Sequence, residues 1–325
     1  MIILNRPQTD PYFNIAAEEY FVKNKKEPIF MLWQNTASVV VGKHQNALKE
    51  INLNYLNEKN IPVIRRISGG GTVYHDLGNI NYSFIDNGNR ESLVNFKKYS
   101  QPILDVLISL GINARLVGKS DLKIGELKFS GNASHVYKNT VLHHGTLLFS
   151  SDLNILETSI MAKTEKFEDK AVQSKRSLVT NIENHLQKPI AINEFKNLII
   201  MHILDEFPDC TQRDLNENEI KDIDQLANEK YKSWEWNFGY SPSYYFSGRI
   251  ENQTEPVIFQ LQVRNGVIAK CDFHSSQIND INVLNSLFIG KQHNTNALRE
   301  IYQLNSELFK TLKIEYLTLQ KAFFS

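Results

Sequence analysis

The residues best suited to chemistry begin where two cations run into a glycine-rich stretch. Arg65 and Arg66 precede Ser68 and three consecutive glycines (69–71), and the pair His75-Asp76 follows. Because glycine has no Cβ, a ligand can approach the backbone, whose N–H groups bind anions. The three glycines alone would also fit a glycine-rich hairpin turn. The neighbouring cations and hydroxyl favour an anion-binding loop.

A second set of polar residues lies between residues 118 and 153. Asp121 is followed by Lys128, in the block Lys-Phe-Ser-Gly-Asn-Ala, and then by the run His143-His144-Gly145-Thr146. A lone lysine in a strand is most often a solvated surface charge. Adjacent strand residues point to opposite faces, so His143 and His144 are not expected to bind one metal ion together. We predict instead that His144 lines the wall of a pocket. The hydroxyl of Thr146 could hydrogen-bond a phosphate.

These two segments resemble the signature of the lipoate–protein ligase A family. Residues 65–79 fit the pattern Arg-Arg-x-Ser-Gly-Gly-Gly-x-Val-x-His-Asp-x-Gly-Asn at every fixed position. The block around Lys128 and the later run His-His-Gly-Thr-Leu-Leu match the family in order and spacing. Segments 177–182 and 234–242 resemble two further blocks. The resemblance covers nearly the whole chain.

The resemblance implies an α+β fold. Its parts are a biotin/lipoate protein ligase-like catalytic domain, with helices packed on a mixed β-sheet, and a small α+β C-terminal accessory domain. The implied activity depends on ATP: free lipoate is activated as lipoyl-AMP, pyrophosphate is released, and the lipoyl group moves to a lysine of a carrier domain. The implied carriers are E2 subunits of 2-oxoacid dehydrogenase complexes and the H protein of glycine cleavage.

By the same resemblance, Lys128 is the catalytic residue. A fixed ammonium between a carboxylate and the α-phosphate of ATP would align both groups and offset the negative charge of the transition state. The residues implied for binding lipoate and lipoyl-AMP are Arg66, Ser68, Gly69, Gly70, Gly71, His75 and His144. Those implied for ATP are Val73, Tyr74 (through its backbone), Asn79, Asp121, Lys128 and Thr146. Asn79 and Asp121 are oxygen donors of the kind that binds Mg²⁺.

Several of these residues admit a second interpretation. His75 fits a general base or a loop histidine that only hydrogen-bonds the backbone. Asp121 also fits a plain turn residue, and Arg66 fits a surface ion pair. Some family members carry an arginine seven residues after the reactive lysine, where this chain has His135. The substrate carboxylate or phosphate is therefore expected to be clamped less firmly.

Two other functions are compatible with parts of the pattern. An ATP-independent lipoyl or octanoyl transferase would take its acyl group from another protein, and related transferases form a thioester on a cysteine. Cys210 and Cys271 are the only cysteines, and both lie outside the signature blocks. This argues against a thioester intermediate. It does not exclude an ATP-independent acyl transfer that acts through Lys128. A protein that only binds lipoate would not need Asn79, Asp121 and Lys128 together.

The composition of the chain limits the classes of partner and the cellular locations that we expect for it. Its 325 residues include 36 lysines and arginines against 36 aspartates and glutamates. General nucleic-acid binding needs an excess of cations, so we expect no nucleic-acid partner. No apolar run approaches the ~18 residues of a membrane span, so no membrane association is expected. Two distant cysteines without metal-binding spacing predict a soluble protein of the reducing cytoplasm.

Apolar periodicity predicts the elements that must position these residues. Asp10-Pro11 is a helix start, followed by apolar residues at helical spacing up to Lys25. Strands are predicted at 29–33, 38–41, 61–67, 79–85, 112–117, 127–130 and 141–150. Further helices are predicted at 51–58, 93–110 (with Gly111 as its cap), 195–207 and 220–230. The three glycines are thus expected between two strands of one sheet.

The chain is predicted to divide into a catalytic domain, residues 1–243, and an accessory domain, residues 244–325. The breaker cluster at 239–243 is typical of a linker, and the polar segment 163–177 predicts a mobile loop. After the linker, Asn265-Gly266 between alternating apolar residues predicts a type I′ hairpin with Cys271 on its buried face. Helices follow near 281–288 and 296–304.

Overall fold

A computed structural model describes residues 1–25, 27–88, 94–161, 164–251, 255–275 and 281–324. The chain forms two compact units. The first comprises residues 1–43, 62–157 and 175–233, and the second comprises 44–61, 158–174 and 234–325. The division at residue 243 stays a prediction, and the second unit also takes in three segments that precede residue 244.

The strands of both units are numbered in chain order. They are β1 (Ile2–Asn5), β2 (Ile29–Trp33), β3 (Ser38–Val41), β4 (Val63–Arg65), β5 (Val73–His75), β6 (Asn79–Asn87), β7 (Ala114–Val117), β8 (Asp121–Ile124), β9 (Leu127–Tyr137), β10 (Thr140–Leu148), β11 (Phe167–Asp169), β12 (Thr211–Arg213), β13 (Tyr244–Ile250), β14 (Val257–Arg264) and β15 (Val267–His274).

The helices complete the α+β architecture predicted from the sequence. They are α1 (Pro11–Asn24), α2 (Ala47–Glu50), α3 (Leu53–Glu58), α4 (Phe96–Ser109), α5 (Leu153–Ser159), α6 (Ile192–Glu206), α7 (Glu217–Leu226), α8 (Ile281–Phe288), α9 (Thr295–Leu304), α10 (Ser306–Thr311) and α11 (Tyr316–Phe324). Within the described ranges, none of them is both long and apolar enough to cross a bilayer. Residue 93, the predicted start of α4, lies outside the described residues.

The first unit is built on an eight-stranded mixed sheet with the order β12-β1-β2-β6-β10-β9-β8-β7. Strand β1 pairs in parallel with β12 and β2, and the other neighbouring pairs are antiparallel. Side chains along β10 point alternately to the two faces of this sheet. His143 stacks on Tyr99 of α4, whereas His144 contacts Glu18 of α1. Helix α1 therefore covers the face that carries His144.

The glycine-rich stretch connects two strands of a separate three-stranded sheet, whose order is β4-β3-β5. Strand β3 pairs in parallel with β4 and antiparallel with β5, so the glycines cross over β3. This geometry rules out the hairpin-turn interpretation. The prediction that one sheet holds both flanking strands was wrong, because the unpredicted strand β5 intervenes and β6 belongs to the large sheet.

Local sequence signals account for the ends of the helices in this unit. The Asp10 carboxylate accepts hydrogen bonds from two N–H groups of the first turn, and Pro11 opens α1. Gly111, with φ +80°, follows α4 as predicted. Helix α1 is buried on nearly all sides, so that Glu18 and Glu19 are only 1% and 4% exposed. A buried carboxylate needs a partner, and both glutamates have one.

The second unit contains a four-stranded antiparallel sheet with the order β11-β13-β14-β15. Asn265 and Gly266, between β14 and β15, have φ values of +50° and +72°. Both central residues of a type I′ turn need positive φ, so the predicted hairpin is confirmed. Cys271 is buried as predicted, and burial raises the pKa of its thiol to about 12.

The polar segment predicted as a loop contributes a strand to this sheet. Phe167 is buried in β11 and pairs with Phe246 of β13. Asp169 forms an ion pair with Lys49 at 3.2 Å, and their side chains are 0% and 3% exposed. The prediction of a loop was therefore wrong for 167–169. Residue 163 lies outside the described residues, and the mobility of the remainder stays a prediction.

The breaker cluster near residue 240 begins inside a helical turn. Glu235–Gly239 adopts a π-helical turn, and the hydroxyl of Ser241 accepts a hydrogen bond from the N–H of Ala47 at 3.3 Å. Ser241 is 6% exposed. The interpretation of this cluster as a linker stays a prediction.

Candidate active site

The buried side chain of Arg66 holds the glycine loop through several hydrogen bonds. Its Nε donates to the hydroxyl of Ser68 at 3.0 Å, and its Nη1 donates to the carbonyl of Val40 at 3.2 Å. Its Nη2 donates to the carbonyls of Gly69 and Gly71 at 2.6 and 2.8 Å. The side chain is buried, and burial lowers the pKa of Arg66 to about 10, which leaves it charged at neutral pH. A surface ion pair is thereby excluded.

Gly70 sits at the tightest point of this loop. Its φ of +91° is one that residues with a side chain rarely adopt. A Cβ added there would lie 3.0 Å from Nη2 of Arg66 and 3.9 Å from the Cβ of Ala133 in β9. A Cβ on Gly69 would meet nothing within 4 Å. The loop thus passes over β9, the strand that carries Lys128.

A chain of buried hydrogen bonds links the loop to helix α1. The Ser68 hydroxyl lies 2.6 Å from Nε2 of His144, and Nδ1 of His144 lies 2.9 Å from both carboxylate oxygens of Glu18. Glu18 also accepts from the hydroxyl of Ser83 at 2.6 Å, and Ser83 accepts from the indole N–H of Trp33 at 2.9 Å. Each of these five residues is less than a tenth exposed.

His75 faces the same buried region as a neutral hydrogen-bond donor. The Nδ2 group of Asn35 lies 3.0 Å from Nδ1 of His75, and the Oδ1 of Asn35 accepts from Asn14 at 2.9 Å. This arrangement puts the proton of His75 on Nε2, which has no partner among the described residues. Burial lowers the pKa of His75 to about 3, with Arg66 and His144 adding to the shift. The geometry therefore favours a donor over a general base.

Lys128 lies on β9 with its ammonium at the surface of the site. Its Nζ is 2.9 Å from Oδ1 of Asp121, and the two side chains are 24% and 31% exposed. The N–H of Lys128 donates to the carbonyl of Leu178, and its carbonyl accepts from the N–H of Thr180. The lysine of this ion pair is thus held on a backbone whose N–H and carbonyl both bond to residues 178–180. A quarter-exposed ammonium with one exchangeable partner is available to an anionic substrate.

Three of the residues predicted for ATP and magnesium, Asn79, Asp121 and Thr146, lie on β6, β8 and β10. The Thr146 hydroxyl accepts from the N–H of Gly131 at 3.3 Å, and Thr146 is opposite Asn81. Asn79 donates to Asn81, and its own Oδ1 is buried without a partner among the described residues. Strands β10 and β9 lie between Asn79 on β6 and Asp121 on β8, so the two residues are about 14 Å apart across the sheet and do not reach one Mg²⁺ ion together. The partly exposed Asp121 carboxylate alone fits Mg²⁺, which prefers a few protein oxygens plus phosphates. No cluster of three metal-binding side chains occurs in the described ranges.

Val73 and Tyr74 occupy the short strand β5. Val73 pairs with Val40 and Tyr74 pairs with Val39 across the small sheet. The ring of Tyr74 is packed in the core, with 2% of the residue exposed. A nucleotide at this strand would therefore meet the backbone of Tyr74, as the sequence resemblance implied.

The structure separates the two neighbouring histidines as predicted. His143 lies in the core under α4 and its Nδ1 is 3.2 Å from the hydroxyl of Ser134. His135, at the position of the expected arginine, is half-buried. Burial and then the nearby Lys43 ammonium lower its pKa. A neutral histidine at this position would add no positive charge to the site.

Sequence reasoning missed the supporting side chains of the site. Glu18, Trp33, Ser83 and Asn35 each contact a predicted residue or its partner, yet each lies far from it in sequence. The available signal was weak: two adjacent glutamates on a helix otherwise rich in apolar residues. Only the fold brings α1 against β6 and β10.

Comparison with known families gives a match that covers most of these residues. The model of the lipoyl protein ligase A/B catalytic domain matches residues 10–204. Lipoate–protein ligase 1 of Staphylococcus aureus is 38% identical over 302 residues, which is 92% of this chain and 92% of that protein. Lipoate-protein ligase LplJ of Bacillus subtilis is 34% identical over 311 residues, 93% of each chain.

Solved structures of similar proteins agree with these sequence matches. A lipoate protein ligase of Thermoplasma acidophilum with bound lipoic acid has a TM-score of 0.63, 25% identity, and covers 73% of this chain and 98% of its own. The bipartite ligase of that organism, studied with its E2 lipoyl domain, has a TM-score of 0.64, 26% identity, and covers 74% and 96%. A lipoate-protein ligase A bound with ATP has a TM-score of 0.62, 26% identity, and covers 74% and 98%.

Proposed function

The chain belongs to the lipoyl protein ligase A/B family, and we propose that it is an ATP-dependent lipoate–protein ligase. In the first step the carboxylate of free lipoate attacks the α-phosphate of ATP, giving lipoyl-AMP and pyrophosphate. In the second step the ε-amine of a carrier lysine attacks the acyl carbon, and AMP leaves. The predicted catalytic-domain fold agrees with the similar solved structures.

The observation that carries this proposal is the position of the Lys128 ammonium. It stands on a strand fixed by the backbone of Leu178 and Thr180, and it is partly exposed beside Asp121. Exchange of Asp121 for an anionic substrate would place this ammonium between the carboxylate and the α-phosphate. A preorganised charge at that point stabilises the transition state because it needs little reorganisation.

The acid end of the site is assigned to the glycine loop and the histidines. Arg66 keeps the loop in shape through its contacts with Ser68 and the glycine carbonyls. The unpartnered Nε2–H of His75 is a donor for a ligand oxygen. His144 orients the Ser68 hydroxyl from the opposite side. The N–H groups of residues 69–71 complete an arrangement suited to a carboxylate or the adjoining phosphate.

The nucleotide end is assigned to β5, β8 and β10. The backbone of Val73 and Tyr74 would contact the base, and Thr146 would contact a phosphate. Asp121 would hold Mg²⁺ together with phosphate oxygens, because Asn79 lies too far away across the sheet to bind the same ion. When bound, the ion supplies charge neutralisation at the phosphates of ATP. These roles rest on donor chemistry and on the ATP-bound relative.

The carriers are assigned by similarity to the Thermoplasma system. That bipartite ligase was studied with an E2 lipoyl domain, which supports carrier domains as partners of this chain. Within that class we propose E2 subunits of 2-oxoacid dehydrogenases and the H protein of glycine cleavage. Nucleic acid and membranes are not among the proposed partners. The cytoplasmic location stays a prediction.

Pyrophosphate release without any carrier tests the proposal. Purified protein mixed with ATP and Mg²⁺ should release pyrophosphate only when lipoate is added, and lipoyl-AMP should accumulate. An ATP-independent transferase would give no lipoate-dependent pyrophosphate, and it would move octanoyl or lipoyl groups from an acylated protein instead. A protein that only binds lipoate would do neither.

A further inference from the structure

The two arginines that open the glycine-rich stretch are bound to groups inside the protein. Arg65 is fully buried, and its Nη1 donates to the carbonyls of Gly42 and Lys43 at 3.0 and 3.1 Å. Arg66 makes four hydrogen bonds, all of them to the glycine loop and β3. A different cation is therefore needed to hold the carboxylate of a ligand at this loop.

Lys43 is a cation that the fold fixes directly beside the loop. Its N–H donates to the carbonyl of Ser68 at 2.8 Å, and its carbonyl accepts from Nη1 of Arg65 at 3.1 Å. The residue is half-buried, and its ammonium has no hydrogen-bond or ion-pair partner in the part of the chain that the structure describes. Because a charge that is partly removed from water is stabilised by a counter-charge, this ammonium is suited to an anion.

Three positions of β9 lie in a row under the glycine loop. Gly131, Ala133 and His135 alternate along the strand and therefore share one face of the sheet, with about 6–7 Å between neighbours. Nζ of Lys128 lies 3.3 Å from the point where a Cβ on Gly131 would sit. A Cβ on Gly70 would lie 3.9 Å from that of Ala133. The Lys128 ammonium thus lies over the first position of the row, and the glycine loop lies over the second.

The charge of Lys43 acts on the third position of this row. Burial lowers the pKa of His135, and the Lys43 ammonium lowers it further, so His135 brings no positive charge of its own at neutral pH. A second ammonium acts on His135 from Lys230, which is bound to Glu19 at 2.6 Å. Among the cations that the structure describes at this end of the row, Lys43 is thus the one without a counter-charge.

We propose that the Lys43 ammonium binds the carboxylate of the free acid at the glycine loop, on the side opposite to Lys128. This rests on the proposed function, because it takes lipoate as the acid. An anion over Ala133 has one ammonium on each side along β9 and the N–H groups of the loop beside it. Lys43 takes no part in a bond that forms or breaks. The carboxylate loses its charge when it becomes the mixed anhydride with AMP, so the contact stabilises the free acid and not the adenylate.

Two ligands with the same acyl tail separate a charge contact from a contribution to the shape of the site. Lipoate carries the carboxylate, whereas lipoyl-AMP has an uncharged carbonyl in its place. Lys43→Met removes the ammonium and keeps an unbranched side chain. The matched control is Lys138→Met, which removes one positive charge from the exposed turn after β9, where the ammonium lies 5.4 Å from the centre of the Tyr137 ring.

Isothermal titration of the full-length protein with lipoate, lipoyl-AMP and ATP gives the three dissociation constants. Lys43→Met should raise the Kd for lipoate about tenfold or more, the scale of one hydrogen bond to a charged group. It should change the Kd for lipoyl-AMP and for ATP by less than about twofold. Lys43→Gln, in case Lys43→Met does not fold, should behave in the same way. Lys138→Met should bind all three ligands as the wild-type protein does.

The outcomes separate this assignment from the function on which it rests. An unchanged Kd for lipoate in Lys43→Met would overturn the assignment and leave the ligase proposal standing. Equal weakening of lipoate and lipoyl-AMP would give Lys43 a part in the shape of the loop, and weakening of ATP and lipoyl-AMP alone would assign its ammonium to a phosphate; each result would overturn the assignment. Folded wild-type protein that does not bind lipoate at all would overturn the proposed function and the assignment together.

Discussion

Replacement of Gly70 by alanine should damage the site with little effect on the rest of the fold. The residue has φ +91°, and its new Cβ would lie 3.0 Å from Nη2 of Arg66. The unfavourable φ costs about 1–2 kcal/mol. The guanidinium must also shift from the carbonyls of Gly69 and Gly71, which it holds at 2.6 and 2.8 Å, weakening a charge-assisted bond worth about 1.5–3 kcal/mol.

The two costs together predict a loss of up to about 2.5–5 kcal/mol, divided between folding stability and ligand affinity. If the loop relaxes in the free protein, most of this free energy must be spent when the ligand restores the loop, so it appears as weaker binding. Each 1.4 kcal/mol weakens affinity about tenfold. Titration calorimetry with lipoyl-AMP gives the affinity, and urea unfolding gives the stability. We expect affinity to fall at least about tenfold while the folded state persists.

Gly125→Ala is the matched control for this prediction. Gly125 also has a positive φ, +56°, in the turn between β8 and β9, and a Cβ there would meet nothing within 4 Å. It should lose about 1 kcal/mol of stability and no affinity. Wild-type affinity for lipoyl-AMP in a folded Gly70→Ala protein would refute the reasoning, because the glycine loop would then be only a connection between strands.

Three further substitutions, with one control, test other parts of the structure. Lys128→Ala should lower the rate of pyrophosphate release by about 10²-fold or more without changing the unfolding midpoint, and a near-normal rate would remove Lys128 from the centre of the reaction. Asp169→Asn leaves the buried Lys49 without its counter-charge and should cost about 3 kcal/mol in urea unfolding. Glu251→Gln, in an exposed pair, should cost less than about 1 kcal/mol, and equal losses would contradict the assignment. Gly145→Ala places a Cβ 2.2 Å from a buried amide of β9 and should destabilise the protein by about 1–3 kcal/mol, whereas a neutral effect would mean that β9 and β10 can separate.

Features fixed by neighbouring residues could be predicted from the sequence. Asp10-Pro11 starts α1 because the cap is an interaction within one turn. Asn265-Gly266 forms the hairpin because few other residues tolerate two positive φ values in succession. The opposite faces of His143 and His144 follow from the strand period alone.

Features that depend on distant contacts could not be predicted in this way. Residues 167–169 carry few apolar side chains, and they form a strand because β13 offers a partner some eighty residues later in the chain. Glu18 meets His144 across a sequence separation of 126 residues. The crossing of β3 by the glycine loop depends on the parallel pairing of β3 with β4, for which the sequence holds no local signal.

The site residues show the same division. The types and order of residues 65–79 and 118–153 pointed to an anion-binding loop and a reactive lysine, and the structure brings these segments together over β9. The engagement of Arg66 with its own loop was not foreseen, because those partners are backbone carbonyls. Every residue has a backbone carbonyl, so the side-chain types in the sequence do not show which carbonyls a cationic side chain will bind.

Mass spectrometry of a carrier domain tests the central claim most directly. An unmodified E2 lipoyl domain should gain the mass of one lipoyl group, on one lysine, only when the protein, lipoate and ATP are all present. Omission of ATP should abolish the gain, and added lipoyl-AMP should restore it. A gain that occurs without ATP, with an acylated protein as the donor, would contradict the account and identify the chain as a transferase.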